Sequence, residues 1–302
     1  PVLISQLWLL LYFLIFSPLL YSRDFGKLRH QFWDCKYICN YCIAKTIIQK
    51  NHLLHLPSMN TVIDIGNTLV KGAIFQNDKI LWSEKSEPEL FFELFKNQVS
   101  KLKQTSNLLY AASGDIDLNW LDFFKTNFKL YQFNHNTPLP FINHYKTPET
   151  LGLDRIALVA AASKLYPQKN VFIIDTGTCI TYDFISDKNT YLGGNISPGL
   201  DMRFKALHHF TANLPRLKFD HPATTPLGQT TNDAILNGVI QGVVDEIDQN
   251  IKRYKSEYKD LTVILTGGDQ HYLSAQLKNS IFANPTFQLV GLNAILEYLL
   301  ND

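Results

Sequence analysis

The sequence predicts an α/β fold made of two copies of one unit, with mixed sheets flanked by helices and a cleft between the copies. Two segments carry most of this reading. TVIDIGNT (61–68) and VFIIDTGT (171–178) are each an apolar, β-branched run that closes on Asp-x-Gly, with a second strand and a turn into a third behind it. Helical periodicity fills the stretch between them, so one unit is repeated. Short apolar strands at 107–112 and 261–266 alternate with the helices, which makes the sheets mixed and helix-covered.

In chain order, residues 1–58 stand apart. Residues 1–21 (PVLISQLWLLLYFLIFSPLLY) carry no charge and have the length to cross a bilayer, with Arg23, Lys27 and Arg29 behind them. Two readings stay open. Leu, Ile, Phe, Tyr, Lys and Asn are what AT-rich DNA encodes in an arbitrary frame, so 1–58 is either a translated stretch before the natural start or a leader with a membrane anchor. Cys35, Cys39 and Cys42 have a spacing similar to the cluster loop of radical S-adenosylmethionine enzymes. No strand–helix barrel follows them, so no cluster is expected.

From Met59 the folding signals are immediate. A strand runs to Asp64, Gly66-Asn67-Thr68 turns, and Leu69 to Phe75 forms the return strand. Asn77-Asp78 turns again, and Lys79 to Trp82 starts a third strand. Pro88 to Lys103 places apolar residues at 90, 91, 94, 95 and 99, a helical stripe. Leu153 to Tyr166 is an Ala-rich helix stopped by Pro167, which sets a boundary near 168 between a first unit, 59–168, and a second, 169–302. Val171 to Ile174 then repeats the first strand, Asp175 closes it, and Cys179 to Phe184 returns. Ser186 to Asn189 turns, Tyr191 opens the third strand, and Asn232 to Tyr254 is a long amphipathic helix.

Composition excludes several classes. With 46% hydrophobic and 18% charged among 302 residues, the chain is neither disordered nor collagen-like, and four cysteines make no disulfide scaffold. The net charge of +1 divides unevenly: 1–58 holds six basic and two acidic residues, leaving 22 basic and 25 acidic, a net of −3, in 59–302. No broad basic face for nucleic acid is expected there. One cysteine, Cys179, remains in that part, which suits a reducing cytoplasm; it is read as a buried packing thiol. His208 and His209 are adjacent on a helical pattern and point about 100° apart, so no zinc site is expected.

The duplicated turn has a chemical use. Asp at a strand end beside a Gly turn sets a carboxylate next to exposed N–H groups, which suits Mg²⁺, directly or through water, and phosphate oxygens. Two such turns across a cleft would grip a nucleoside triphosphate from both sides. No G-x-x-x-x-G-K-[ST] loop is present, so phosphate binding rests on the hairpin turns.

The motifs match a family. DIGNTLVK (64–71), GLDR (152–155), DTGTCIT (175–181), GGNISPGL (193–200) and TGGD (266–269) appear in order over 59–302, and none of the match falls in 1–58. The chain resembles the type III pantothenate kinases of the acetate and sugar kinase/Hsc70/actin superfamily. The resemblance implies duplicated actin-like, ribonuclease H-like ATPase domains and phosphorylation of pantothenate by ATP to 4′-phosphopantothenate, the first step of coenzyme A biosynthesis. It also implies Mg²⁺ with ATP, a monovalent cation (K⁺ or NH₄⁺), a homodimer and a cytoplasmic location. Membrane contact enters only if 1–21 is an anchor.

The resemblance assigns ATP binding to Asp64, Ile65, Gly66, Asn67, Thr68, Leu69, Val70, Lys71 and Thr178, with Asp64 holding Mg²⁺ through water. Lys71 lies an odd number of residues from Asp64, so strict alternation sets it on the opposite face, and phosphate contact and a solvated side chain both stay open. Asp154 is read as the base that takes the proton of the pantothenate hydroxyl; an acid in the first turn of a helix is the bland alternative. Tyr145, Gly152, Leu153, Arg155 and Thr231 join Asp154 on the pantothenate side, with Arg155 pairing the substrate carboxylate and Thr230 as the neighbour of Thr231 in register. Asp175 is matched to the monovalent-cation ligand, and Gly267-Gly268 to the adenosine side. The competing reading is a catalytically silent relative, an accessory transcriptional regulator, against which intact Asp64, Asp154, Arg155 and Asp175 argue.

Overall fold

The first apolar run forms β1 (Met59–Ile65), antiparallel to β2 (Val70–Gln76), which pairs in turn with β3 (Lys79–Ser86). Asn77 makes the tight turn between β2 and β3 at φ 54°, a conformation that Asn tolerates better than most residues. Asn189 repeats this at φ 56° in the second copy. In this computed structural model the described residues are 59–66, 68–101, 107–112, 116–218, 227–279 and 281–301. The leader 1–58 with its cysteine triplet, and Asn67, lie outside them.

Helix α1 (Pro88–Lys101) and α2 (Leu118–Asn127) follow, separated by β4 (Asn107–Ala112) and closed by β5 (Lys129–Gln132). Asp117 caps α2 by accepting the Asn119 N–H at 2.7 Å. Both β4 and β5 run parallel, β4 beside β1, so the first sheet reads β3-β2-β1-β4-β5.

The second half repeats that order. Its elements are β6 (Ile142–Asn143), α3 (Leu153–Leu165), β7 (Val171–Thr176), β8 (Cys179–Ile185), β9 (Thr190–Pro198), α4 (Leu200–His209), α5 (Thr231–Glu257), β10 (Thr262–Thr266), α6 (Gln270–Ser274), β11 (Phe282–Ala283) and α7 (Phe287–Asn301). The sheet reads β11-β10-β7-β8-β9-β6. Read from its β9 side, the run β9-β8-β7-β10-β11 matches β3-β2-β1-β4-β5 strand for strand, with the same pairing directions. Only the short β6, beside β9, is extra.

Burial explains the layers. Phe91, Phe95, Trp120 and Phe124 of α1 and α2 cover one face of the first sheet, over Ile63, Ile74 and Leu108. Helices α4 and α5 cover the outer face of the second sheet, over Phe172, Ile174 and Leu265. Between the two sheets lie α3 and α7, whose core is shared with Val62, Phe75 and Leu109 on one side and Val171, Ile173 and Ile264 on the other. The Ala run 160–162 makes α3 slim there, and an added Cβ at Gly291 of α7 would overlap the Ala157 carbonyl. The sequence reading does not supply α7, nor α2, β5, β6, α6 and β11.

A polar seam ties α7 to the first sheet. Asn60 Nδ2 donates to Asn293 Oδ1 at 3.1 Å, and Asn107 Nδ2 donates to Asn60 Oδ1 at 3.3 Å. At the far end, Lys164 of α3 is bonded to Glu297 of α7 and to Asp78 of the β2–β3 turn.

Candidate active site

Asp64 and Asp175 occupy equivalent places, each the penultimate residue of the strand at the centre of its repeat. Asp64 lies opposite Lys71 across β1–β2, and Asp175 lies opposite Thr181 across β7–β8. The turns close by similar bonds: Gly66 N donates to Leu69 O at 3.1 Å, and Gly177 N to Cys179 O at 3.0 Å. Thr68, Leu69 and Thr178 are exposed at these turns, Ile65 is half-buried, and Val70 is buried as packing. Cys179 is half-buried at the start of β8, short of the full burial expected of it.

Lys71 corrects the alternation argument. Counting through the turn sets it on the opposite face from Asp64, yet the two side chains share a face. Alternation holds within one strand; a hairpin turn restarts it, and directly opposed residues of antiparallel strands point the same way. Lys71 Nζ donates to Gln288 Oε1 at 2.8 Å, and Gln288 Nε2 donates to Asp64 Oδ2 at 2.9 Å.

The two carboxyls feel the same charges. Burial lifts Asp64 above its ordinary range, opposed by Lys71 and the Gln288 bond, while Asp154 pushes it further up. Burial likewise pushes Asp175 up to about 6, with Lys71 opposing and Asp154 adding. Lys71 and Asp154 therefore act on both repeats at once.

Beside Lys71 and Asp175 opens a cleft of about 440 Å³, lined also by Lys85, Gly267, Gly268 and Gln288 among others. Gly267 holds φ +100°, and a Cβ there would overlap Asp175 Oδ1 and the Thr176 carbonyl oxygen. Asp175 Oδ1 and the Thr176 carbonyl oxygen thus lie together against Gly267, and both are the donor type that hard cations take. The Asp269 N–H donates to Thr176 O at 3.0 Å, which keeps the glycine loop against β7.

The second cluster starts α3. Gly152 caps the helix without a side chain, and a Cβ there would overlap Asp154 Oδ1. Asp154 is exposed and its Oδ1 accepts the Arg155 N–H at 2.8 Å. Arg155 turns inward and donates to Asp183 Oδ1 from Nε at 3.0 Å and from Nη2 at 2.7 Å. It also donates to the Tyr191 hydroxyl at 3.0 Å, and that hydroxyl donates to Asp183 Oδ1 at 2.7 Å. Burial opposes both charges and pulls the Asp183 carboxyl upward, while at Arg155 the bonds from Asp183 outweigh burial and hold the guanidinium above its ordinary value. The short two-donor contact is the geometry of a charged pair.

The Nε–Nη2 edge of Arg155, one of the edges a ligand carboxylate would take, is therefore occupied by the protein. Tyr145 stacks on Tyr191 at 6.0 Å between ring centres, and its ring lies 5.8 Å from the Arg155 guanidinium carbon. Gly194 makes room for this group, since its Cβ would overlap the Tyr182 carbonyl and crowd Arg155 Nη2 at 2.9 Å. Thr231 is exposed at the first position of α5, while Thr230 is its cap, accepting the Asp233 N–H at 3.1 Å.

Sequence reasoning missed Asp183, Tyr191, Lys85 and Gln288. Asp183 left a signal: an acid in the middle of the apolar strand CITYDFI requires a buried partner. Gln288 left a fainter one, an amide among apolar neighbours in FQLVGLNAIL.

The profile of the type III pantothenate kinase family matches residues 60–253. A type III pantothenate kinase of Christiangramia forsetii is 50% identical over 240 residues, covering 80% of this chain and 98% of that one. Another, from Flavobacterium johnsoniae, is 41% identical over 81% of this chain and 100% of the relative. Among solved structures, a Campylobacter jejuni chain assigned to a Baf family of transcriptional activators aligns with a TM-score of 0.53 at 22% identity, over 80% of this chain and 100% of that one. That likeness bears on fold alone, which is α/β, with two mixed sheets of repeated strand order flanked by helices.

Proposed function

The chain belongs to the type III pantothenate kinase family, and we propose that its phosphoryl transfer runs in the cleft between the two Asp-Gly hairpins with Asp154 as the base. The activity is phosphorylation of pantothenate by ATP. The observation that carries the placement is the pair Asp64 and Asp175, equivalent in the two sheets and both under the charge of Lys71 and Asp154. The regulator reading is not favoured by relatives that are named kinases.

Asp154 takes the proton of the pantothenate hydroxyl as that oxygen bonds to the γ-phosphorus. The bond from the γ-phosphorus to the bridging oxygen breaks, and ADP and 4′-phosphopantothenate leave. Residues 64–71 and Thr178 hold the phosphates through N–H groups and hydroxyls. Asp64 would hold Mg²⁺ through water, which would supply neutralisation of the phosphate charge. Asp175 and the Thr176 carbonyl would hold K⁺ or NH₄⁺, a reading supported by the two oxygens that lie together against Gly267. Tyr145, Gly152, Leu153, Thr231 and the outer edge of Arg155 bind pantothenate.

The same reading makes two lobes, 59–168 and 169–302, close on the nucleotide, with one sheet order repeated in each in its support. It makes the chain a homodimer of the cytoplasm, and Leu192 and Ile196, 50% and 64% exposed on β9, are apolar side chains suited to a partner copy. Among the described residues, no helix is long and apolar enough to cross a membrane. The deciding experiment supplies pantothenate, ATP, Mg²⁺ and K⁺ to the folded protein and follows ADP and phosphopantothenate. Absence of both products overturns the proposal.

A further inference from the structure

We propose that Gln288 is a positioning residue of the phosphoryl-transfer site, its amide holding the Asp64 carboxylate and the Lys71 ammonium in fixed relation across the β1–β2 hairpin. The proposal rests on reading Asp64 as the carboxylate that serves the nucleotide's metal ion. Gln288 lies 224 residues beyond Asp64 in the chain and outside the matched family segment 60–253.

The amide suits this place for a reason of chemistry. Lys71 can only donate and an ionised Asp64 can only accept, so the group between them must do both. A glutamine amide does so without adding charge, and its partners decide which end is oxygen: Oε1 faces Lys71 at 2.8 Å and Nε2 faces Asp64 at 2.9 Å. With Oδ2 tied to the amide, Oδ1 is the oxygen left for a hydrated metal ion. A glutamate here would repel Asp64, and an apolar residue would leave Lys71 and Asp64 to find other partners.

The surroundings hold Gln288 still. It is 7% exposed, between the fully buried Phe287 and the buried Leu289 in the first turn of α7. The turn before it is pinned to the second sheet, because Asn284 N donates to Leu265 O at 3.0 Å and Asn284 Oδ1 accepts the Thr286 N–H at 3.0 Å. Beyond it, Asn293 bonds Asn60 of β1. Gln288 is therefore carried by a helix anchored to both repeats, and it reports the seating of α7 to the first hairpin.

The test compares wild type, Gln288→Met, Lys71→Met and the double variant. Calorimetry reads binding of Mg²⁺ with a non-hydrolysable ATP analogue, assays read kcat and both KM values, and thermal unfolding checks the fold. Loss of an outer residue of this kind costs about 10- to 100-fold. Gln288→Met should lose that much in kcat and in affinity for the Mg²⁺–nucleotide, with KM for pantothenate within twofold of wild type. The double variant should lose little more than Lys71→Met alone, because the bridge is already broken; a purely structural residue would add its full effect.

A folded Gln288→Met with wild-type kcat and nucleotide affinity overturns the proposal, and so does full additivity with Lys71→Met. If Gln288→Met fails to fold, Gln288→Asn, one methylene too short to span both partners, is read by the same criteria. If wild type binds the nucleotide but leaves pantothenate untouched, the substrate reading fails while calorimetry still decides Gln288.

Discussion

Arg155 donates to Asp183 from both Nε and Nη2, with side chains only 5% and 0% exposed. The arginine next to the candidate base is thus held from behind by an acid 28 residues further along the chain. Asp154 and Arg155 are neighbours in sequence with opposite fates, one exposed at the start of α3 and one locked against the second sheet.

Removing the acid should be costly. Asp183→Ala leaves a buried guanidinium without its countercharge, a change of about 3–5 kcal/mol in stability. Urea unfolding should show it as a lower midpoint. Asp183→Asn keeps an acceptor for Arg155 and should lose less. Equal stability of wild type and Asp183→Ala would mean that the pair contributes nothing.

Asp154→Asn addresses the base. The side chain is exposed and its packing contribution is small, so the melting temperature should hardly move. Turnover should fall by about 10²–10⁴-fold while nucleotide affinity is kept. Retention of most of the activity would exclude Asp154 as the proton acceptor.

Asp175 makes stability depend on pH in a definite direction. Its carboxyl is raised from 3.8 to about 6 by burial, against Lys71. A folded acid that binds its proton more tightly than the unfolded chain stabilises the fold while protonated. That contribution is fully present below about pH 4 and is lost as pH rises through about 6. A shift of roughly two pKa units is about 3 kcal/mol. In protein free of nucleotide and K⁺, the stability of Asp175→Asn minus that of wild type should grow by this amount between pH 4 and 7. Adding K⁺ at pH 7 should then stabilise wild type and leave the variant unmoved. A difference independent of pH would refute the assignment.

Two adjacent glycines should respond differently. Gly267→Ala forces a side chain into φ +100° and against Asp175 Oδ1, with strain alone of about 1–3 kcal/mol. Nucleotide binding by calorimetry should weaken at least tenfold. At Gly268 the nearest group to an added Cβ is Lys85 Nζ at 4.0 Å, so Gly268→Ala should unfold at the wild-type temperature. Equal tolerance at both positions would show that the loop is not built around Asp175.

Much of the site was legible because its signals are local. An apolar run ending in Asp-x-Gly needs only neighbours in sequence to become a strand and a turn, and both copies folded as read. The failure at Lys71 was also local in origin: a period of two was carried through a turn that resets it. Asp183 was half legible, since a charge inside strand CITYDFI announced a partner without naming Arg155.

The repeated strand–turn–strand unit and the two Asp-Gly turns follow from backbone propensity within short segments, and the motifs in their order carry the resemblance to the family. Tertiary structure alone decided how those parts meet. Helix α7 carries an apolar pattern that any buried helix could have, and only packing against α3 and β1 brings Gln288 between Lys71 and Asp64. Only the closure of β8 on α3 gives Arg155 its acid. The physical reason is the same for both: a buried polar group must be satisfied, but its partner is chosen by which surfaces come into contact, and the residues that meet there lie 28 to 224 positions apart.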